Sequence, residues 1–165
     1  MTKQAVAIDG AEKEVEKPAP NPWELQEFRD MAETEGTLFK WKFDWTLTLR
    51  RISGWNKNWS AATARLNRRP DVKAFLQRMN AKDYEWTDKD RLFWRRVELE
   101  QFGEGCVVNW SVTDRTGKPM SMTPKNIVDV FTTFPDFYLE AKKFASDADN
   151  FSPEAIDPDI ALGNS

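Results

Sequence analysis

From position 39 to 49 every second residue is large and apolar. Phe39, Trp41, Phe43, Trp45, Leu47 and Leu49 alternate with Lys40, Lys42, Asp44, Thr46 and Thr48. Successive side chains on a strand point to opposite faces. The pattern therefore predicts a strand at about 38–50 with its bulk on one side. A lone strand leaves its backbone groups without partners. It must bend into a hairpin around Asp44, pair with a short second strand, or pair with another copy of the chain.

Elsewhere the apolar positions recur at three and four residues, the helical period. Asn21-Pro22-Trp23-Glu24 reads as a capped start: Asn21 caps, Pro22 fits the first turn and Glu24 reaches back. Trp23, Phe28 and Met31 follow, and Gly36 ends the element. Ser53-Gly54 breaks the strand pattern, after which Asn58 or Ser60 caps a helix through "SAATARLNRR". Pro70 opens the next helix, with Val72, Phe75, Leu76 and Met79. Thr87 to Asp90 caps a long helix whose Leu92, Phe93, Val97, Phe102 and Cys106 fall near one stripe, with a kink expected at Gly103 and Gly105. Asp114 to Gly117 reads as a turn. Thr123-Pro124 launches a helix bearing Ile127, Val128, Val130 and Phe131. Pro135 launches the last, bearing Phe137, Tyr138, Ala141, Phe144, Ala145 and Ala148.

The expected fold is mainly α. It is a small helical domain with one β-strand or hairpin near the N-terminus, an α+β arrangement with flexible terminal arms. Residues 1–20 are charged, end in prolines and have no apolar period, so they read as an arm. Residues 21–150 form the single domain, and 151–165 a polar tail.

Composition narrows the chemistry. The 165 residues contain no histidine and one cysteine, Cys106. The commonest general base and metal ligand are thus missing, as are the Ser or Cys triads, and neither an intramolecular disulfide nor a Cys cluster can form. No catalytic residue, metal site or cofactor is assigned, and the chain is expected not to be an enzyme. No run approaches the roughly 18 apolar residues of a membrane span. Met1 to Gly10 lacks the basic-then-apolar order of a secretion signal. These features predict a reducing, cytoplasmic setting.

The Gly117-Lys118 pair fails as a phosphate loop. Val112 stands where the first glycine is needed and Pro119 where Ser or Thr is needed. The acidic pairs Asp88/Asp90 and Asp157/Asp159 suit a helix start and a tail better than a metal.

Charge is arranged in blocks: residues 1–39 carry 4 basic and 9 acidic side chains, 40–96 carry 15 and 6, and 97–165 carry 5 and 12. A basic middle between acidic ends suits a nucleic-acid face or self-association. It suits better a solvated basic face partly neutralised by the chain's own acidic ends. Eight tryptophans serve either as core or as anchors for a protein partner. The candidate partner-binding residues are Trp55, Trp59 and the basic helix after them, Arg65, Arg68 and Arg69. Nucleic-acid stacking along "RRISGWNKNWSAATARLNRR", with Arg50, Arg51 and Lys57 added, is the weaker reading.

The segment from Asn58 to Phe151 resembles the bacteriophage tail assembly chaperones. The resemblance rests on an ordered series. Asn56-Lys57-Asn58-Trp59 precedes a basic helical stretch. Val108-Asn109-Trp110, Asp114 with Gly117-Lys118-Pro119, and Thr123-Pro124-Lys125-Asn126 follow. Phe134-Pro135-Asp136 and Ala148-Asp149-Asn150-Phe151 close it. It covers somewhat more than half the chain. It implies a chaperone of the host cell cytoplasm that holds the tape-measure protein in solution and helps the tail-tube protein polymerise around it. It also implies a longer frameshifted form, for which Leu162-Gly163-Asn164 permits a slippery codon series. The alternatives are a structural tail or connector protein whose arms order on neighbouring subunits, and a small nucleic-acid-binding protein.

Overall fold

A computed structural model describes residues 21–152 and residue 155. The expected N-terminal arm, and the tail beyond Ser152 apart from Ala155, lie outside the described residues. So does the Leu162 codon series.

The chain is mainly helical with a small antiparallel sheet. Helix α1 (Pro22–Glu35) leads into β1 (Thr37–Lys40) and β2 (Thr46–Leu49). Helices α2 (Lys57–Arg68), α3 (Pro70–Met79) and α4 (Asp88–Cys106) follow. Strand β3 (Val107–Trp110), α5 (Pro124–Thr133) and α6 (Pro135–Ser146) complete the order, before a short 3-10 turn at Ala148–Phe151. The sheet order is β1-β2-β3. No helix among the described residues is long and apolar enough to cross a membrane.

The expected strand is a hairpin, bent at Lys42–Asp44. Phe39 lies opposite Leu47 and Thr37 opposite Leu49. The bulk does not all reach one face. Phe39, Leu47 and Leu49 are buried and Trp41 and Trp45 pack beside them, but Phe43 is thrown outward by the bend. The hairpin also gains a third strand that the apolar pattern did not announce. Val107 follows the last residue of α4 directly and pairs with Leu49, with a bulge between Thr48 and Leu49. Its four residues are too few to show a period.

The helix starts follow local chemistry. Asn21 and Glu24 form the reciprocal capping box, as do Thr87 and Asp90. Thr123 accepts from the Asn126 N–H, and prolines occupy the first turns of α3, α5 and α6. The start of α2 is corrected. Asn56, rather than Asn58 or Ser60, caps it, its Oδ1 accepting from the Asn58 and Trp59 N–H groups at 3.0 and 3.1 Å.

The core sits where the sheet meets α4, α5 and α6. Phe137 is its centre, with Trp41 stacked at 4.6 Å, Phe131 at 5.4 Å and Trp45 at 5.6 Å. Each buried ring of this kind contributes about 1.5–3 kcal/mol from burial, with more from edge and offset geometry. A smaller cluster of Leu66, Val72 and Val97, with Phe93 and Trp94 beside it, joins α2, α3 and α4. Phe75 is fully buried and stacks on Trp94 at 5.4 Å.

Helix α4 is continuous through both of its late glycines. The kink expected there is replaced by close approach. A Cβ on Gly103 would stand 2.8 Å from Ile127 Cγ2 of α5, and one on Gly105 would stand 2.9 Å from Trp59 Cε3 of α2. The glycines let two helices press onto α4. Four positions expected on apolar helix faces are exposed instead: Trp23, Met31 and Leu92, and Ala148, which falls beyond the end of α6 in the 3-10 turn.

Candidate docking site

The structure separates the residues singled out from the sequence. Trp55 stands in solvent, 81% exposed. Trp59 is half-buried, its ring against Gly105 and the main core. Arg65 donates from Nε to Glu104 Oε1 at 2.9 Å, with a second bond to the other oxygen. Arg69 spans Asp71 and Glu100, and Glu100 also accepts from Arg96 Nε at 3.1 Å. Arg68 is exposed and makes no ion pair among the described residues. The basic face of α2 is thus neutralised along one side by Glu100 and Glu104, which belong to the acidic final block. These bonds hold the Arg65 and Arg69 guanidinium groups protonated more firmly than usual, chiefly through Glu104 and Asp71.

Beside this ladder runs an open groove of about 1050 Å³ between α4 and α5. Leu92, Leu99, Gly103 and Val107 lie along the α4 side, and Ile127 and Val128 line the α5 side. The α4 positions Leu92, Leu99 and Gly103 are separated by seven and four residues, which keeps them on one helical stripe, and Val107, the first residue of β3, follows four residues later. From Leu92 to Gly103 this stripe is about 16 Å long at 1.5 Å per residue. Met122 and Pro124 also contribute to the lining, where the connector enters α5. The rims carry charge of both signs: Arg65, Arg96, Glu100 and Glu104 on one, Lys125 and Asp129 on the other.

The local causes are legible. Gly103 brings the helices together at Ile127. Leu92 lies on the same stripe and remains 73% exposed. The connector before α5 is ordered by its own bonds. Asp114 accepts from the Thr116 and Lys118 N–H groups and the Thr116 hydroxyl, and these hold its carboxyl below the usual carboxylate range, the hydroxyl first among them. Trp110 Nε1 donates to the Met120 carbonyl at 2.8 Å. The N-terminal end of α4 is pinned by Asp90, which accepts from the Tyr84 and Thr87 hydroxyls and the Thr87 N–H.

Among the described residues no three His, Cys, Asp or Glu side chains are grouped to hold a metal. The Cys106 thiol is buried, which pushes its pKa up to about 12. The α4/α5 groove was not among the residues singled out from sequence. Its signal was present in the spacing from Leu92 to Val107 and in the glycine within it, but periodicity alone does not show that Leu99, Gly103 and Val107 are buried as the floor of the groove while Leu92 stays exposed. No family model, no curated protein and no solved structure matches the chain.

Proposed function

We propose that this protein is a non-enzymatic phage tail assembly chaperone whose α4/α5 groove receives amphipathic helical segments of the tape-measure protein. The observation that carries the reading is an apolar groove with charged rims and the exposed Leu92 at one end of its stripe. A helix with its side chains is about 10–12 Å across, and apolar helix faces are bound in grooves of this kind through anchors at three, four and seven residue intervals. A long helical rod with exposed apolar stripes aggregates unless those stripes are covered. Covering them keeps the rod available for the tail-tube protein, and the host cytoplasm is where that work takes place.

A protein partner is favoured over nucleic acid by the ion pairs. Two of the cations that a phosphate backbone would engage, Arg65 and Arg69, are bound to Glu104, Asp71 and Glu100. Nucleic-acid binding would weaken steeply with added salt.

The test is co-expression with the tape-measure protein of the same phage. The expected result is a complex that stays in solution with the unaltered protein and is lost with Leu92→Glu. Persistent aggregation of the tape-measure protein beside the folded, unaltered chain would defeat the reading.

A further inference from the structure

We propose that, when no client helix is present, the groove receives the hairpin tip of a second copy of this chain, with Phe43 entering over Leu92 and Asp44 facing Arg95. This rests on the groove being a docking surface and is independent of which helix is the client.

The tip is built to project. Phe43 and Asp44 have φ values of 60° and 61°, as mirror-image hairpin turns require of their two central residues. Such turns favour Asn-Gly, because a side chain is costly in the left-handed region. An aromatic residue there is unexpected unless its side chain is used. Phe43 is 79% exposed, and its nearest ring is the edge of Trp41 at 6.1 Å. The chain bears the backbone cost without burying the ring.

The tip is also held stiffly. The Trp41 N–H donates to the Trp45 carbonyl at 2.8 Å, and Trp45 Nε1 donates to Thr113 Oγ1 at 3.1 Å. Trp41 and Trp45 both lie against Phe137 and Phe134. A knob already fixed in place loses little freedom on binding.

One chain therefore exposes a convex aromatic knob and a concave apolar groove. Beside them stand two charges of opposite sign, Asp44 at the knob and Arg95 at the groove. Asp44 is exposed and makes no ion pair among the described residues. Arg95 lies three residues from Leu92, with its guanidinium 4.9 Å from the Tyr138 ring and no carboxylate in an ion pair among the described residues. Lys42, on the other side of the knob, lies over the Trp41 ring at 5.7 Å. The knob and groove are different patches, so one copy's tip meets another copy's groove.

The test is sedimentation of the full chain over a wide concentration range. The unaltered protein is expected to associate as concentration rises, while Phe43→Ser and Leu92→Glu each stay monomeric with unchanged circular dichroism. Mixing the two variants is the decisive arm. Phe43→Ser keeps its groove and Leu92→Glu keeps its tip, so together they should form a one-to-one complex. Asp44→Arg should weaken association at least tenfold, and mixing it with Arg95→Glu should restore it. A monomeric unaltered protein at every concentration, a Phe43→Ser variant that associates normally, or a mixture that stays monomeric would each overturn the proposal. The client reading is scored separately, because Phe43→Ser retains the whole groove. If that variant still solubilises the tape-measure protein, the chaperone reading stands whatever the outcome for self-association.

Discussion

Trp59 of α2 lies against Gly105 of α4 so closely that a Cβ on the glycine would stand 2.9 Å from the ring and 3.0 Å from the Trp59 Cα. The Asn56 cap closes the same seam, donating from Nδ2 to the Gly105 carbonyl at 3.1 Å and to the Arg51 carbonyl at 2.8 Å. Two residues of the Asn56–Trp59 series thus have a structural task, which is to join α2 to the late part of α4. Gly105→Ala is expected to destabilise by about 1–3 kcal/mol, because backbone as well as side-chain atoms must give way. Gly54→Ala, where a Cβ meets open space, is the matched control and should change stability by less than about 0.5 kcal/mol. Urea unfolding of both variants checks the pair.

The hairpin tip carries a cost that can be removed. Phe43→Asn places a residue that tolerates positive φ where an aromatic one now stands. The variant should be more stable by about 1 kcal/mol, the order of the left-handed penalty. A thermal midpoint below that of the unaltered protein would show that the ring contributes more within the chain than its exposure implies.

At Leu92, stability and binding come apart. Exposed substitutions usually change stability by less than about 0.5 kcal/mol, so Leu92→Glu should unfold at the same urea concentration as the unaltered protein. Under the proposed function, co-purification of tape-measure helices with this variant should fall at least tenfold. Loss of both properties together would place Leu92 in the core after all.

Acid should loosen the start of α4. Bonds from the Tyr84 hydroxyl, then the Thr87 hydroxyl and N–H, hold the Asp90 carboxyl well below the usual carboxylate range. A depressed folded-state pKa contributes stability that is fully present above the unfolded value of about 3.9 and is lost as pH falls toward the folded one. Stability should therefore decline below about pH 4. Asp90→Asn should be less stable at neutral pH and less sensitive to acid across that window, as followed by circular dichroism.

Cys106 should be chemically silent. Burial raises its thiol to about 12, and the thiolate is the reactive form. A thiol reagent at pH 8 should react with it only at the rate of unfolding, and addition of urea should release that block.

Much of the architecture was readable because it depends on local rules. Asn21-Pro22, Thr87 to Asp90 and Thr123-Pro124 specify their helix starts within three or four residues, and the structure uses all three. The alternation from Phe39 to Leu49 specified extended chain and its inward face, with the hairpin one of the pairings it left open, and Phe43 departs from that face where the turn reverses the chain. What stayed hidden depends on partners distant in sequence. Gly103 and Gly105 suggest a break until Ile127 and Trp59 are seen to press against them. Leu92 looks like core until α5 proves to leave it open. The four residues of β3 acquire a strand geometry only because β2 is there to receive them. The site was legible in part. Trp55 is outside and Trp59 is partly committed to the seam, while the basic residues of α2 and its cap divide between paired Arg65 and Arg69 and outward Arg68.

The direct passage from Cys106 to Val107 leaves no slack between α4 and the sheet. Each helical residue turns the backbone by about 100°, since 3.6 residues make a turn. Adding or removing one residue between Leu92 and Cys106 would therefore swing the Leu92 stripe about a quarter of the way round relative to the strand that follows. The phase of a single rod fixes where the groove points and where the sheet begins, and insertions in this stretch must come in whole turns or not at all.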